Sequence, residues 1–132
     1  MRQNHNRCLR VGLPLLAAAL LCHGAHADDF ASVRYDAATD QLIITMRYSG
    51  TNPNHTFSLQ WGPCQSIAGQ ALPEVAVEVL DSQFQDAAQR AFRKTTRFPL
   101  GELPCRPAKL TLRTAPHFLY TLLIPAAITA PQ

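Results

Sequence analysis

Along most of this chain, apolar and polar residues alternate with a period of two, the pattern of β-strands that bury one face. Short segments rich in Pro, Gly, Asn and Asp separate the alternating stretches. The pattern predicts about seven strands, near residues 30–35, 41–48, 55–61, 74–80, 92–98, 108–114 and 117–124. The predicted inward residues of the second and fourth strands are Leu42, Ile44, Met46, Tyr48, Val75, Val77 and Val79.

Two local signals refine this pattern. Between Asp81 and Phe92 the apolar residues recur every three to four positions, which predicts a short helix or helical turn capped by Asp81 or Ser82. The polar segment from Ser49 to Asn54 contains Gly, Asn and Pro, which favour turns. The second and third strands are therefore predicted to form a hairpin across this segment.

The fold class that follows is all-β and mainly antiparallel. About seven short strands predict a β-sandwich or a small barrel, because an isolated hairpin cannot bury its apolar face. An immunoglobulin-like topology is the favoured arrangement. The likeness is architectural only, since Trp61 precedes Cys64, whereas in antibody domains the tryptophan lies between the two bridged cysteines.

The N-terminal segment has the features of a secretory signal peptide. Three arginines and no acid precede an apolar run at 11–21, which is shorter than the roughly 20 residues that cross a bilayer. Small residues at Ala25 and Ala27 predict cleavage after Ala27. The expected product is a single β domain at 28–132 without a transmembrane segment, located in the periplasm or secreted.

The four cysteines divide between the leader and the mature chain. In a lipoprotein, the alternative product, Cys22 would be acylated, but the large Leu21 precedes it where a small residue is expected. Cys64 and Cys105 remain after export to an oxidising compartment, so a disulfide between them is predicted. That bond leaves neither thiol available for catalysis or metal binding.

Removal of the leader also changes the charge. The whole sequence has 12 Lys and Arg against 9 Asp and Glu, and the three surplus arginines all lie before residue 11. The mature chain is therefore neutral, and nucleic acid is not predicted as its partner.

Two catalytic or metal-binding interpretations remain as alternatives. His55 and His117 could join Met46 in a copper site, but these isolated residues form no short ligand motif, so no metal or cofactor is predicted. No nucleophile motif is present either. A small exported hydrolase stays open, because paired catalytic acids can come from distant segments.

The predicted function is non-catalytic binding of a protein or an anionic envelope component. Basic residues concentrate in the C-terminal half, where the candidate contact residues are Arg93, Arg97, Lys109 and Arg113. Further candidates are Asn52, Asn54 and His55, in a polar loop beside the predicted strands. Alternatively, these basic residues only point outward into solvent and discourage edge pairing between strands.

Overall fold

The computed structural model describes residues 28–114 and 119–127. The predicted signal peptide, His117 and the last five residues lie outside these ranges. The described part contains seven strands and one 3-10 helix. The strands are β1 (Asp29–Asp36), β2 (Gln41–Gly50), β3 (Phe57–Gln65), β4 (Glu74–Asp81), β5 (Arg90–Pro99), β6 (Ala108–Arg113) and β7 (Leu119–Ile124), and the 3-10 helix is Leu100–Glu102.

The strands pair into two sheets, one of three strands in the order β1-β2-β5 and one of four strands in the order β3-β4-β6-β7. Every pair is antiparallel except β4 with β6, which is parallel. The prediction of a mainly antiparallel all-β chain is confirmed. The alternative of a small barrel is wrong, because among the described residues the two sheets do not join into one closed sheet.

The predicted hairpin of β2 with β3 is also wrong, since these strands belong to different sheets. β2 is the central strand of its sheet, and β1 and β5 occupy both of its backbone edges. The loop after Gly50 instead carries the chain across to the other sheet. The apolar faces of the two strands then meet through the core, where the rings of Tyr48 and Phe57 lie 5.4 Å apart, edge to face.

Both sheets contribute to one apolar core. The residues predicted to point inward from β2 and β4 are all buried. Strand alternation explains this, because every second side chain of a strand points to the same face. The remaining core residues are Phe30, Val33, Phe57, Leu100, Ala108, Leu110, Leu112 and Ile124.

Of the short helix or helical turn predicted between Asp81 and Phe92, only a turn is present, and the longer helix is wrong. Residues 82–85 form a single turn, and β5 begins at Arg90. Asp81 accepts from the N–H of Gln83 at 2.9 Å, as a capping residue does, whereas Asp86 accepts from the N–H of Thr51 and so fastens the end of the turn to the loop after β2. In the described ranges no helix has the length and apolar content that a membrane span requires.

Two connections fasten the turn before β6. The Sγ atoms of Cys64 and Cys105 are 2.00 Å apart, at disulfide distance, so the end of β3 is tied to this turn as predicted. The guanidinium of Arg106 donates to both carboxylate oxygens of Asp40, each at 2.9 Å. That bidentate pair is the strongest reason that the pKa of the Asp40 carboxyl is lowered.

Candidate functional site

His55 lies two residues before β3 and has no exposed surface. The sequence prediction that its side chain is a contact residue is therefore wrong. Its Nδ1 is 2.7 Å from an oxygen of Asp81, and its Nε2 is 3.2 Å from an oxygen of Asp86. The ring also packs at 4.6 Å from that of Tyr48. The sequence did not reveal this arrangement, because the two carboxylates are 26 and 31 residues away.

The two carboxylates favour a charged imidazole. Burial alone would lower the pKa of His55, but the hydrogen bonds to Asp81 and Asp86 outweigh it and raise this pKa. The backbone N–H of Thr51 is the main reason that the pKa of Asp86 lies far below its ordinary value, and burial opposes this effect. The cluster thus joins the loop after β2 to the turn after β4, and Asp81 and Asp86 are its anionic members.

This geometry does not favour either catalytic or copper chemistry at His55. A general base needs a ring nitrogen directed at a nucleophile, and both nitrogens of His55 already face carboxylates. Met46, the proposed thioether ligand, is only 1% exposed, and His117 lies outside the described residues. Within the described ranges, no group of three or more His, Cys, Asp and Glu residues could hold a metal ion.

The polar loop is fastened to the same cluster. Asn52 donates to the side chain of Gln83 at 3.0 Å and accepts from the backbone N–H of Asn54 at 2.9 Å. Thr51 donates to Asp86 through both its N–H and its hydroxyl. Asn54 remains exposed. The loop is therefore held by side-chain hydrogen bonds from the turn after β4, and its asparagines partly serve that structural purpose.

The predicted basic residues do not share one surface. Lys109 and Arg113 lie on β6 in the four-stranded sheet, whereas Arg93 and Arg97 lie on β5 in the three-stranded sheet. The first two have acidic neighbours on β4. Lys109 is 3.4 Å from a carboxylate oxygen of Glu74, and Arg113 is 3.7 Å from one of Glu78. Those two pairs balance the charge on that sheet.

The three-stranded sheet, in contrast, carries four arginines on its outer face. Arg93 is the direct cross-strand partner of Arg47, and Ile43 lies between Arg97 on one side and Arg34 on the other. All four arginines are exposed. Arg47 lies between the buried Met46 and Tyr48, whereas the neighbours of Arg93 and Arg97 on β5 are partly buried. We call this surface the arginine face, defined by Arg34, Arg47, Arg93 and Arg97.

The acids at this surface compensate only part of its charge. Arg47 donates to Asp29 at 2.5 Å, and Arg97 lies 3.6 Å from Asp36. Arg34 and Arg93 have no ion-pair partner among residues 28–114 and 119–127. The arginine face therefore has an excess of positive charge, although the predicted mature chain is neutral overall.

An open cavity of about 380 Å³ adjoins the arginine face at the end of β2 and β5. The outer-face residues Arg47, Ser49, Ala91 and Arg93 line it, whereas Tyr48 and Phe92 belong to the same strand segments but point to the core side of the sheet. A guanidinium from Arg90 also lies 5.3 Å above the Phe92 ring. The cavity thus places two guanidinium groups side by side at the end of the sheet, which suits an anionic group.

The sequence prediction missed Arg34 and Arg47. Each stands apart from the basic cluster in the sequence, and the pairing of β2 with β5 joins segments about 50 residues apart. The available signal was the alternation itself, because Arg47 lies between the inward Met46 and Tyr48 and must point outward.

Comparison with protein-family models, with curated proteins and with solved structures found no match.

Proposed function

We propose that this protein is a non-catalytic binding module that recognises an anionic partner through the arginine face. The observation that carries the proposal is the direct cross-strand pairing of Arg47 with Arg93. Like charges in this position destabilise a sheet by a few tenths of a kcal/mol to about 1 kcal/mol, and an anionic ligand bound between them relieves that cost.

The surrounding residues suit this purpose. Between the arginines, Thr45 and Thr95 share a hydrogen bond of 2.8 Å, so the middle of the face is uncharged and offers hydroxyl groups. The strands are held by continuous pairing, from Gln41 with Pro99 to Gly50 with Arg90. A ligand therefore meets preorganised charges, which reduces the entropic cost of binding.

The proposed function includes a location outside the cytoplasm. We infer that residues 1–27 are a signal peptide, and that the remaining chain is one immunoglobulin-like β-sandwich in the periplasm or outside the cell. The disulfide distance between Cys64 and Cys105 supports an oxidising compartment. The partner is then a protein or an anionic component of the cell envelope, and no cofactor is needed.

Charge-matched variants test the proposal. Arg93→Ser with Arg97→Ser removes two positive charges from the arginine face, and Lys109→Ser with Arg113→Ser removes two from the other sheet. The probes are polyglutamate and vesicles of phosphatidylglycerol and phosphatidylcholine, used at two salt concentrations. An anionic surface attracts a basic side chain by about 1 kcal/mol, so the first variant should bind vesicles about 30-fold more weakly.

The second variant should lose only a few-fold, although its net charge is the same. Equal losses in the two variants would show that total charge rather than the arginine face governs binding. Failure of the unmodified protein to bind either probe at low salt would refute the proposed function.

A further inference from the structure

One side of the core is open between the edges of the two sheets. β3 and β5 are the edge strands there, and a cleft of about 430 Å³ lies between them. On the opposite side, β1 and β7 approach each other, and the rings of Phe30 and Tyr120 are 6.2 Å apart. The described residues of the core are therefore covered less completely on the side of β3 and β5.

The cleft has an apolar lining. Phe57, Leu59 and Trp61 contribute from β3, and Phe98 contributes from β5. All but Phe57 are only partly buried, although they pack against the core. Apolar side chains that belong to the core but remain open to solvent gain free energy when another apolar group covers them.

Among residues 28–114 and 119–127, β5 has no strand paired with its second backbone edge, and this free edge lies beside the cleft. Its ten residues pair with β2 without a register shift, so its other backbone edge is a long and regular row of donors and acceptors. On one face of β5 are Arg93, Thr95 and Arg97, and on the other are Phe92, Lys94, Thr96 and Phe98. The strand thus presents positive charge outward. On its inward face Phe92 and Phe98 flank Lys94 and Thr96, and of these four residues Phe98 lines the cleft.

We infer that the partner binds as an extended polypeptide that pairs with the free edge of β5 and becomes the fourth strand of the three-stranded sheet. This inference deepens the proposed function and rests on it. Side chains of an added strand alternate between the two faces of the sheet. Those on the outer face lie beside Arg93 and Arg97 and should be acidic, whereas those on the inner face near Phe98 enter the cleft and should be apolar.

The positive charges of β5 indicate which kind of partner would pair with its free edge. A second copy of β5 would place arginine beside arginine, which disfavours self-pairing. β3 is the poorer edge, because its register shifts between Trp61 and Cys64 and Pro63 interrupts its row of N–H groups. A lipid headgroup could use the arginines but would leave the backbone edge of β5 unpaired. An acidic and apolar alternating peptide satisfies the charge, the backbone and the cleft together.

The separation of Arg93 and Arg97 predicts the spacing of the acidic residues in the bound peptide. Arg93 and Arg97 are four residues apart on one strand, a distance of about 13 Å at the usual rise of a strand. Two acids four residues apart in the peptide would match them, with a polar residue opposite Thr95 and apolar residues between. The peptide Thr-Glu-Val-Thr-Phe-Glu-Thr, acetylated and amidated, has this pattern.

Trp61 provides a direct measurement, because it is the single tryptophan of the sequence and lines the cleft. Titration of the purified protein with the peptide should shift the tryptophan fluorescence. Hydrogen exchange measured by mass spectrometry should slow in the peptic fragment that contains residues 90–99. Exchange in β7, the far edge strand, is the internal control and should not change.

Two altered peptides separate charge from strand pairing. Replacement of both Glu by Lys should weaken binding about 2-fold to 30-fold, the range for two exposed ion pairs. N-methylation of the three central amides should weaken it at least about tenfold, because it removes backbone donors and blocks the edge. Arg93→Ser with Arg97→Ser should remove the difference between the Glu and Lys peptides.

The outcomes distinguish the two proposals. Equal binding of the N-methylated and unmodified peptides, or vesicle binding without any peptide binding, would overturn strand addition and leave the arginine face as a general anion-binding surface. Absence of binding to the peptide, the vesicles and polyglutamate would overturn both. Slower exchange at 90–99 together with weaker binding of the N-methylated peptide would support strand addition.

Discussion

Arg47 of β2 and Arg93 of β5 are direct cross-strand partners on the exposed face of the three-stranded sheet. Arg47 has a carboxylate partner in Asp29, whereas Arg93 has none among the described residues. The arrangement opposes the usual preference of neighbouring strands for opposite charges. The two positive charges therefore favour the binding of an anion but lower the stability of the sheet.

Arg93→Ser should raise the free energy of unfolding at low salt by about 0.2–1 kcal/mol, because it removes this repulsion. The same substitution should weaken binding to anionic probes. Urea unfolding at low salt and at 0.5 M NaCl measures the effect, which added salt should reduce. Arg113→Ser is the control and should not stabilise, since Arg113 lies 3.7 Å from Glu78. Destabilisation by Arg93→Ser would contradict this interpretation of the pair.

The strands and their inward faces were predictable because period-two alternation is a local property. Leu42, Ile44 and Met46 are buried as that pattern indicates. The hairpin prediction failed because alternation gives the face of a strand but not its neighbour. The helix prediction failed because tertiary hydrogen bonds to Asp81 and Asp86 override the local spacing of apolar residues.

The candidate site was predictable only in part for the same reason. Arg93 and Arg97 follow from the basic cluster, but Arg47 joins them through the register of β2 with β5, a non-local property. His55 lies on the predicted inward face. Its carboxylate partners were not predictable, since a buried ion pair depends on where distant turns meet.

Gly50 allows the loop after β2 to approach His55 closely. A Cβ atom at this position would lie 2.4 Å from Nε2 of His55 and 2.7 Å from Oδ2 of Asp86. Gly50→Ala should therefore separate His55 from Asp86 and lower the free energy of unfolding by about 1–3 kcal/mol, the usual cost of an overpacked site. Gly101→Ala, where no atom lies within 4 Å, should change stability little. Equal effects in urea unfolding would contradict the close approach.

Removal of the bond between Cys64 and Cys105 should destabilise the fold strongly. These residues are 41 positions apart, and loop-closure entropy gives about 4 kcal/mol for a loop of this length. Cys64→Ser with Cys105→Ser, compared with the oxidised protein in urea unfolding, measures the loss. Reduction of the unmodified protein should give the same midpoint as the double variant. A reduced protein with unchanged stability would show that the bond does not constrain the unfolded chain.

The cluster of His55, Asp81 and Asp86 predicts stability that depends on pH in two directions. His55 has a folded-state pKa above its ordinary 6.5, so its contribution is complete below pH 6.5 and is lost as pH rises through the folded pKa. Asp86 has a folded-state pKa below its ordinary 3.8, so its contribution is present above pH 3.8 and is lost as pH falls toward the lowered pKa. Both contributions are present between pH 3.8 and 6.5.

Unfolding in urea from pH 3 to pH 9 measures this dependence. The unmodified protein should be most stable in the mildly acidic range and should lose stability as pH rises above about 6.5. His55→Gln should be less stable in that range and should lack the loss at higher pH. Tyr48, which packs on the His55 ring, does not titrate there, because burial raises its pKa. A profile for His55→Gln parallel to that of the unmodified protein above pH 6 would show that folding does not raise the pKa of His55.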